Sequence, residues 1–88
     1  MSKNGSIDTD FIEHFFYFPD KSNADKAAER LRAKSWRVQV TWRVEEENWL
    51  VFATQPSPIE DELEKLWFEL TRLAEELDGE YDGYGRPE

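Results

Sequence analysis

The tightest constraint on the fold is a pair of adjacent segments with different patterning. From Arg37 to Val44 the chain alternates: Val38, Val40, Trp42 and Val44 point one way, Arg37, Gln39, Thr41 and Arg43 the other. A polar run, Glu45-Glu46-Glu47-Asn48, follows, and Trp49 to Thr54 is then apolar on both faces. A hairpin of this kind has a wet-faced strand that suits a sheet edge and a second strand that suits the interior. The sheet must therefore continue beyond the second strand. Phe11 to Phe18, FIEHFFYF, supplies a further strand and is stopped by Pro19-Asp20. It carries Ile12, His14, Phe16 and Phe18 on one side and Phe11, Glu13, Phe15 and Tyr17 on the other. Whichever side is buried, aromatic surface remains on the second, and such a surface marks a dimer or partner contact.

Two segments change to the helical period. Ser22 with Asp25 forms a capping-box-like start, and Ala24, Ala27, Ala28 and Leu31 make a narrow stripe that lets a helix lie close to a sheet. Ser57, Pro58 and Glu60 supply an N-cap, a first-position proline and a capping box. From there Ile59, Leu63, Leu66, Leu70, Leu73, Ala74 and Leu77 share one stripe, with Trp67 at its edge and Phe68 nearly opposite. The spacing predicts an end at Leu77-Asp78, with Gly79 as the left-handed residue and Glu80 to Tyr84 as a last strand. The order βαββαβ predicts an α+β, ferredoxin-like two-layer sandwich: a four-stranded antiparallel sheet in the order 4-1-3-2 with two helices on one face. Residues 1–10 read as a flexible lead, 11–85 as a single domain and 86–88 as a tail.

Charge narrows the function classes. Of 20 acidic and 11 basic residues in 88, the first 56 positions hold 9 and 8, whereas the last 32 hold 11 and 3. The net charge of −9 thus belongs to the final third. A field of that sign repels phosphate backbones and attracts basic protein segments. Four Trp, six Phe and three Tyr argue against disorder. The absence of Cys suits a reducing compartment, and cytoplasmic residence is the expectation. No apolar run reaches the length of a membrane span, and the start of the chain lacks the pattern of a secretory signal.

Chemistry-bearing constellations are sparse. His14, the one histidine, sits mid-strand and cannot assemble a zinc site or a nucleophilic triad, so no catalytic or metal residue and no cofactor is expected. Asp78-Gly79-Glu80-Tyr81-Asp82-Gly83 imitates half a calcium loop but lacks its twelfth-position Glu, and it reads better as a helix cap leading into a strand. The triplet Glu45 to Glu47 reads as a solvated hairpin loop. Phe15, Tyr17 and Phe52 could stack bases as in RNA-recognition domains. The basic signature of those domains is missing, so no direct nucleic-acid contact is expected.

EHFFYFPD from Glu13 to Asp20, AERLRAKSW, PSPIEDELEKL and the closing GEYDGYG from Gly79 to Gly85 together resemble the regulator of ribonuclease activity B family, over Phe11 to Gly85. The most specific parts are Glu13-His14 and the run Glu80, Tyr81, Asp82, Gly83. Tyr84 stands where that family typically has Trp. The resemblance implies a ferredoxin-like α/β sandwich and a bacterial cytoplasmic protein that binds ribonuclease E, whose scaffold region is rich in basic segments, and inhibits RNA processing.

Residues and resemblance together lead to the expectation of a non-catalytic regulator of RNA processing or decay. It would dock a basic protein segment, by resemblance one of ribonuclease E. Glu60, Asp61, Glu64 and Glu69 would steer, and Phe68, Tyr81 and Tyr84 would anchor, with Asp82 beside them. The alternative is a homodimeric ligand-binding or assembly module that uses the open aromatic sheet face at Phe11, Phe15, Tyr17 and Phe52.

Overall fold

The strand expected at Phe11–Phe18 (β1) lies at the centre of the architecture. In the computed structural model, which describes residues 11–56 and 63–85, it pairs antiparallel with a neighbour on each side. The elements after it are α1 (Lys21–Arg32), β2 (Arg37–Arg43), β3 (Asn48–Pro56), α2 (Leu63–Glu76) and β4 (Glu80–Gly85). The sheet order is β2-β3-β1-β4, the expected arrangement, with β2 at one edge and β1 and β3 inside. The expected lead, the tail and the α2 start at Ser57, Pro58, Ile59, Glu60 and Asp61 lie outside the described residues.

Both helices cover the face carrying Ile12, His14, Phe16 and Phe18, each fully buried. Ala24, Ala27, Ala28 and Leu31 bury the inner stripe of α1, and Leu63, Leu70, Leu73, Ala74 and Leu77 that of the second helical segment. Small alanines let α1 sit against the sheet, so the large volume of the core comes from β1. Phe11, Glu13, Phe15 and Tyr17 lie on the face away from the helices and are half-buried.

Five local expectations need correction. Asp20, rather than Ser22, caps α1: its extended backbone (φ −117°, ψ 130°) lets the carboxylate accept from the Asn23 amide at 3.4 Å, while its carbonyl accepts from Ala24 at 3.0 Å. Ser22 thereby falls within the first turn, and Asp25 pairs with Lys21 at 2.9 Å. At the end of α2 the left-handed residue is Asp78 (φ 59°), one position before Gly79. The amides of Asp78 and Gly79 donate to the carbonyls of Glu75 and Ala74 at 3.2 and 2.8 Å, a Schellman closure with Asp at C′. Gly79 has a different reason to be glycine: a Cβ there would lie 2.7 Å from the Tyr17 carbonyl oxygen and would collide with the Phe18 ring.

The hairpin departs as well. β2 stops at Arg43, and Val44 stands in the turn, 74% exposed. The turn closes through Glu47, which is left-handed (φ 56°) and donates to the Arg43 carbonyl at 2.8 Å. Trp42, expected inward with Val38 and Val40, is 42% exposed and tilts against Trp49 at 5.1 Å. β3 is also longer than expected, running to Pro56 and so including Gln55.

Candidate functional site

His14 organises one end of the covered face. The register sets Tyr84 of β4 opposite it, and Tyr81 opposite Phe16. Strict alternation would send residues three apart to opposite faces. A bulge between Phe15 and Phe16, with Gly83 at φ 105°, absorbs the extra residue and turns both tyrosines toward the helices. Gln55 of β3 lies two residues beyond Ala53, which pairs with His14.

These strands saturate the imidazole. Gln55 Oε1 lies 2.8 Å from Nε2 and the Tyr81 hydroxyl 2.8 Å from Nδ1. An amide oxygen can only accept, so Nε2–H donates to Gln55 and Nδ1 accepts from the Tyr81 O–H, the arrangement of a neutral ring. Trp36 stacks on the ring at 5.0 Å, nearly parallel at 7°, and Tyr84 meets it edge-on at 6.0 Å. Burial lowers the His14 pKa below its ordinary 6.5, against an opposing pull from the Gln55 hydrogen bond. Burial first, and Tyr84 second, raise that of Tyr81. A neutral imidazole with both nitrogens engaged holds strands together and has no free lone pair to offer a substrate. Among the described residues no group of three or more His, Cys, Asp or Glu is placed to hold a metal.

Above this network the chain presents a seam between α2 and β4. Trp67 packs edge-on against Tyr81 at 5.3 Å and Tyr84 at 5.9 Å, and Trp67 and Tyr84 are each 43% exposed. Gly83 lets the helix come near, since a Cβ there would stand 3.3 Å from the Trp67 ring. At helical spacing Glu64, Thr71 and Glu75 fall on the Trp67 side of Phe68, and Lys65, Glu69, Arg72 and Glu76 on the side toward α1. Among the described residues Glu64, Glu75 and Asp78 take part in no salt bridge. Glu69 pairs with Lys34 at 2.5 Å and Glu76 with Arg30 at 2.9 Å.

The sequence-derived residues therefore divide. Glu64 and Glu69 are exposed on α2, Glu69 engaged with Lys34 of the connection after α1. Phe68, 62% exposed, borders a groove between the helices lined by Arg30, Lys34, Glu69, Arg72 and Glu76, so its surroundings are mixed in charge. Tyr84 is at the seam, Tyr81 lies beneath it with its hydroxyl on His14, Gly83 is buried, and Glu80 and Asp82 are exposed on the edge strand. Glu13 and His14 project to opposite faces, so the motif pair does not act as a pair. Glu60 and Asp61 lie outside the described residues. Sequence reasoning missed Gln55 and Trp36 as partners of His14 and Trp67 as an exposed aromatic. A polar residue in step with inward Val51 and Ala53 was the available signal for Gln55.

Fold and surface define an α+β sandwich of ferredoxin-like topology whose distinctive feature is an aromatic, carboxylate-flanked seam. The family model for the regulator of ribonuclease activity B matches residues 8–85, and the chain belongs to that family. The family is one of regulators of ribonuclease activity, which supports a regulatory role. No curated protein and no solved structure gives a match. No helix among the described residues is long and apolar enough to cross a membrane.

Proposed function

We propose that this chain is a non-catalytic, cytoplasmic regulator that binds a basic segment of its ribonuclease, ribonuclease E by the family resemblance, at the α2–β4 seam and so withholds that segment from RNA. The observation that carries this reading is the exposed Trp67–Tyr84 pair on the side of α2 that also carries Glu64 and Glu75, neither of which takes part in a salt bridge among the described residues. Aromatic anchors with a charged rim are what a basic peptide uses: lysines and arginines approach through the field of the carboxylates, and a guanidinium or ammonium settles on an indole or phenol face. Asp82, exposed on the edge strand, extends the negative rim. Phe68 adds an apolar contact, and Tyr81 acts from below by fixing Tyr84 and Trp67.

The test is calorimetric titration of the protein with a Lys/Arg-rich peptide from the ribonuclease E scaffold. Raising salt from about 50 to about 500 mM should weaken binding at least tenfold, because rim charges in water are screened over a few ångströms at that strength. Glu64→Lys with Glu75→Lys should weaken it similarly, and Glu69→Lys, which removes a carboxylate already held by Lys34, should weaken it less. Salt-independent binding, or full affinity in the double variant, would refute the seam as the docking site.

A further inference from the structure

The sheet face away from the helices carries an aromatic centre that no element among the described residues covers. Phe15 and Phe52 stand directly opposite each other, rings 5.3 Å apart and tilted by 52°. On one side Tyr17 pairs with Leu50, the Arg43 guanidinium lying 4.5 Å over the tyrosine ring, and on the other Phe11 pairs with Pro56. The charges on this face are polarised across the strands. Exposed Arg37 and half-buried Arg43 mark the β2 edge, Arg43 being shared with Glu46 at 3.0 Å. Glu80, opposite Tyr17, and Asp82, at the bulge, mark the β4 edge.

We propose that a second copy of this chain covers this face, related by a twofold axis parallel to the strands. Such an axis lays β1 of each copy over β3 of the other, so each Phe15 meets the other copy's Phe52 and the two aromatic pairs merge into a cluster of four. It also lays β2 over β4, bringing Arg37 and Arg43 to Glu80 and Asp82 twice, once at each rim. A twofold axis perpendicular to the strands would set arginine over arginine, so charge selects the first arrangement. Four strands about 4.8 Å apart, each about seven residues long at about 3.3 Å, give a footprint of roughly 450 Å² per copy. The total of roughly 900 Å² falls just below the size of stable specific interfaces and fits a weak, transient dimer. A single RNA strand on the same face would find cations at one edge and Glu13, Glu80 and Asp82 across the rest, so the second copy is the better occupant.

Sedimentation velocity from about 10 to about 500 µM tests the proposal. The expected result is a rise from monomer to dimer in this range. Arg37→Glu with Arg43→Glu, and separately Glu80→Lys with Asp82→Lys, should each remain monomeric. An equimolar mixture of the two variants should dimerise again, since both rims of the mixed dimer regain opposite charges. That restoration also shows that the variants are folded. A wild-type chain that stays monomeric throughout overturns the proposal. So does a mixture that fails to recover, or a single-stranded RNA that binds at micromolar concentration and shifts the Phe15 and Phe52 resonances.

Discussion

Tyr81 donates its hydroxyl hydrogen to Nδ1 of His14 across the β1–β4 junction at 2.8 Å, and the pair lies beneath the exposed Trp67 and Tyr84. Removing the hydroxyl leaves a buried acceptor without a partner at a cost of about 1–3 kcal/mol. Tyr81→Phe should therefore lower the urea midpoint of unfolding with an unchanged denaturant slope. A change below about 0.5 kcal/mol would mean that the bond contributes no net stability.

The same network makes stability depend on pH in two windows. His14 has a folded-state pKa below its unfolded 6.5, so the unfolded chain binds the proton more readily. The contribution of the neutral ring is present above 6.5 and is lost as pH falls through the folded value. His14→Gln should destabilise the protein at pH 7.5, and the difference from wild type should shrink toward pH 5. Tyr81 has the opposite profile: its pKa is raised above the ordinary 10.0, so its contribution is intact below 10 and is lost as pH rises beyond that. Urea unfolding at several pH values measures both, and a difference between wild type and His14→Gln that does not change from pH 7.5 to 5 would contradict the first.

Adjacent residues at the end of α2 should respond in opposite directions. Asp78 occupies the left-handed position, so Asp78→Gly should stabilise by about 0.5–1 kcal/mol. Gly79→Ala should destabilise by about 2–4 kcal/mol, because its methyl group must displace the Tyr17 carbonyl or the Phe18 ring. Thermal unfolding of the two variants decides whether the left-handed turn or the close approach sets the sequence here.

At the other helix, Asp20→Ala should cost about 0.5–2 kcal/mol as the loss of a cap, and Ser22→Ala should stay within about 0.5 kcal/mol. Equal losses in the two variants would contradict the assignment of the cap to Asp20.

Much of the fold was legible because alternation in β2, two-sided apolarity in β1 and β3, and the alanine stripe of α1 each allow one neighbour arrangement. Which face of β1 the helices cover was not legible, since Glu13 and His14 place one polar group on each side. His14 can be buried because Gln55, 41 residues away, and Tyr81, 67 away, meet both ring nitrogens, and that meeting exists only once register is set. The bulge that brings Tyr81 and Tyr84 to one face breaks the period on which strand reading depends. The acidity of α2 was legible, but its division was not: Lys34, just after α1, and Arg30 of α1 take Glu69 and Glu76, which leaves the open carboxylates on the β4 side.

The most direct measurement of the central claim is a two-dimensional NMR titration of the labelled protein with the basic ribonuclease E peptide. The account predicts that the Trp67 indole N–H and the amides of Glu64, Glu75 and Tyr84 shift together and saturate at one ratio, with Gln39 and Phe52 on the sheet face unmoved. Shifts confined to the sheet face or to the Phe68 groove, or no shifts at low salt, would contradict it.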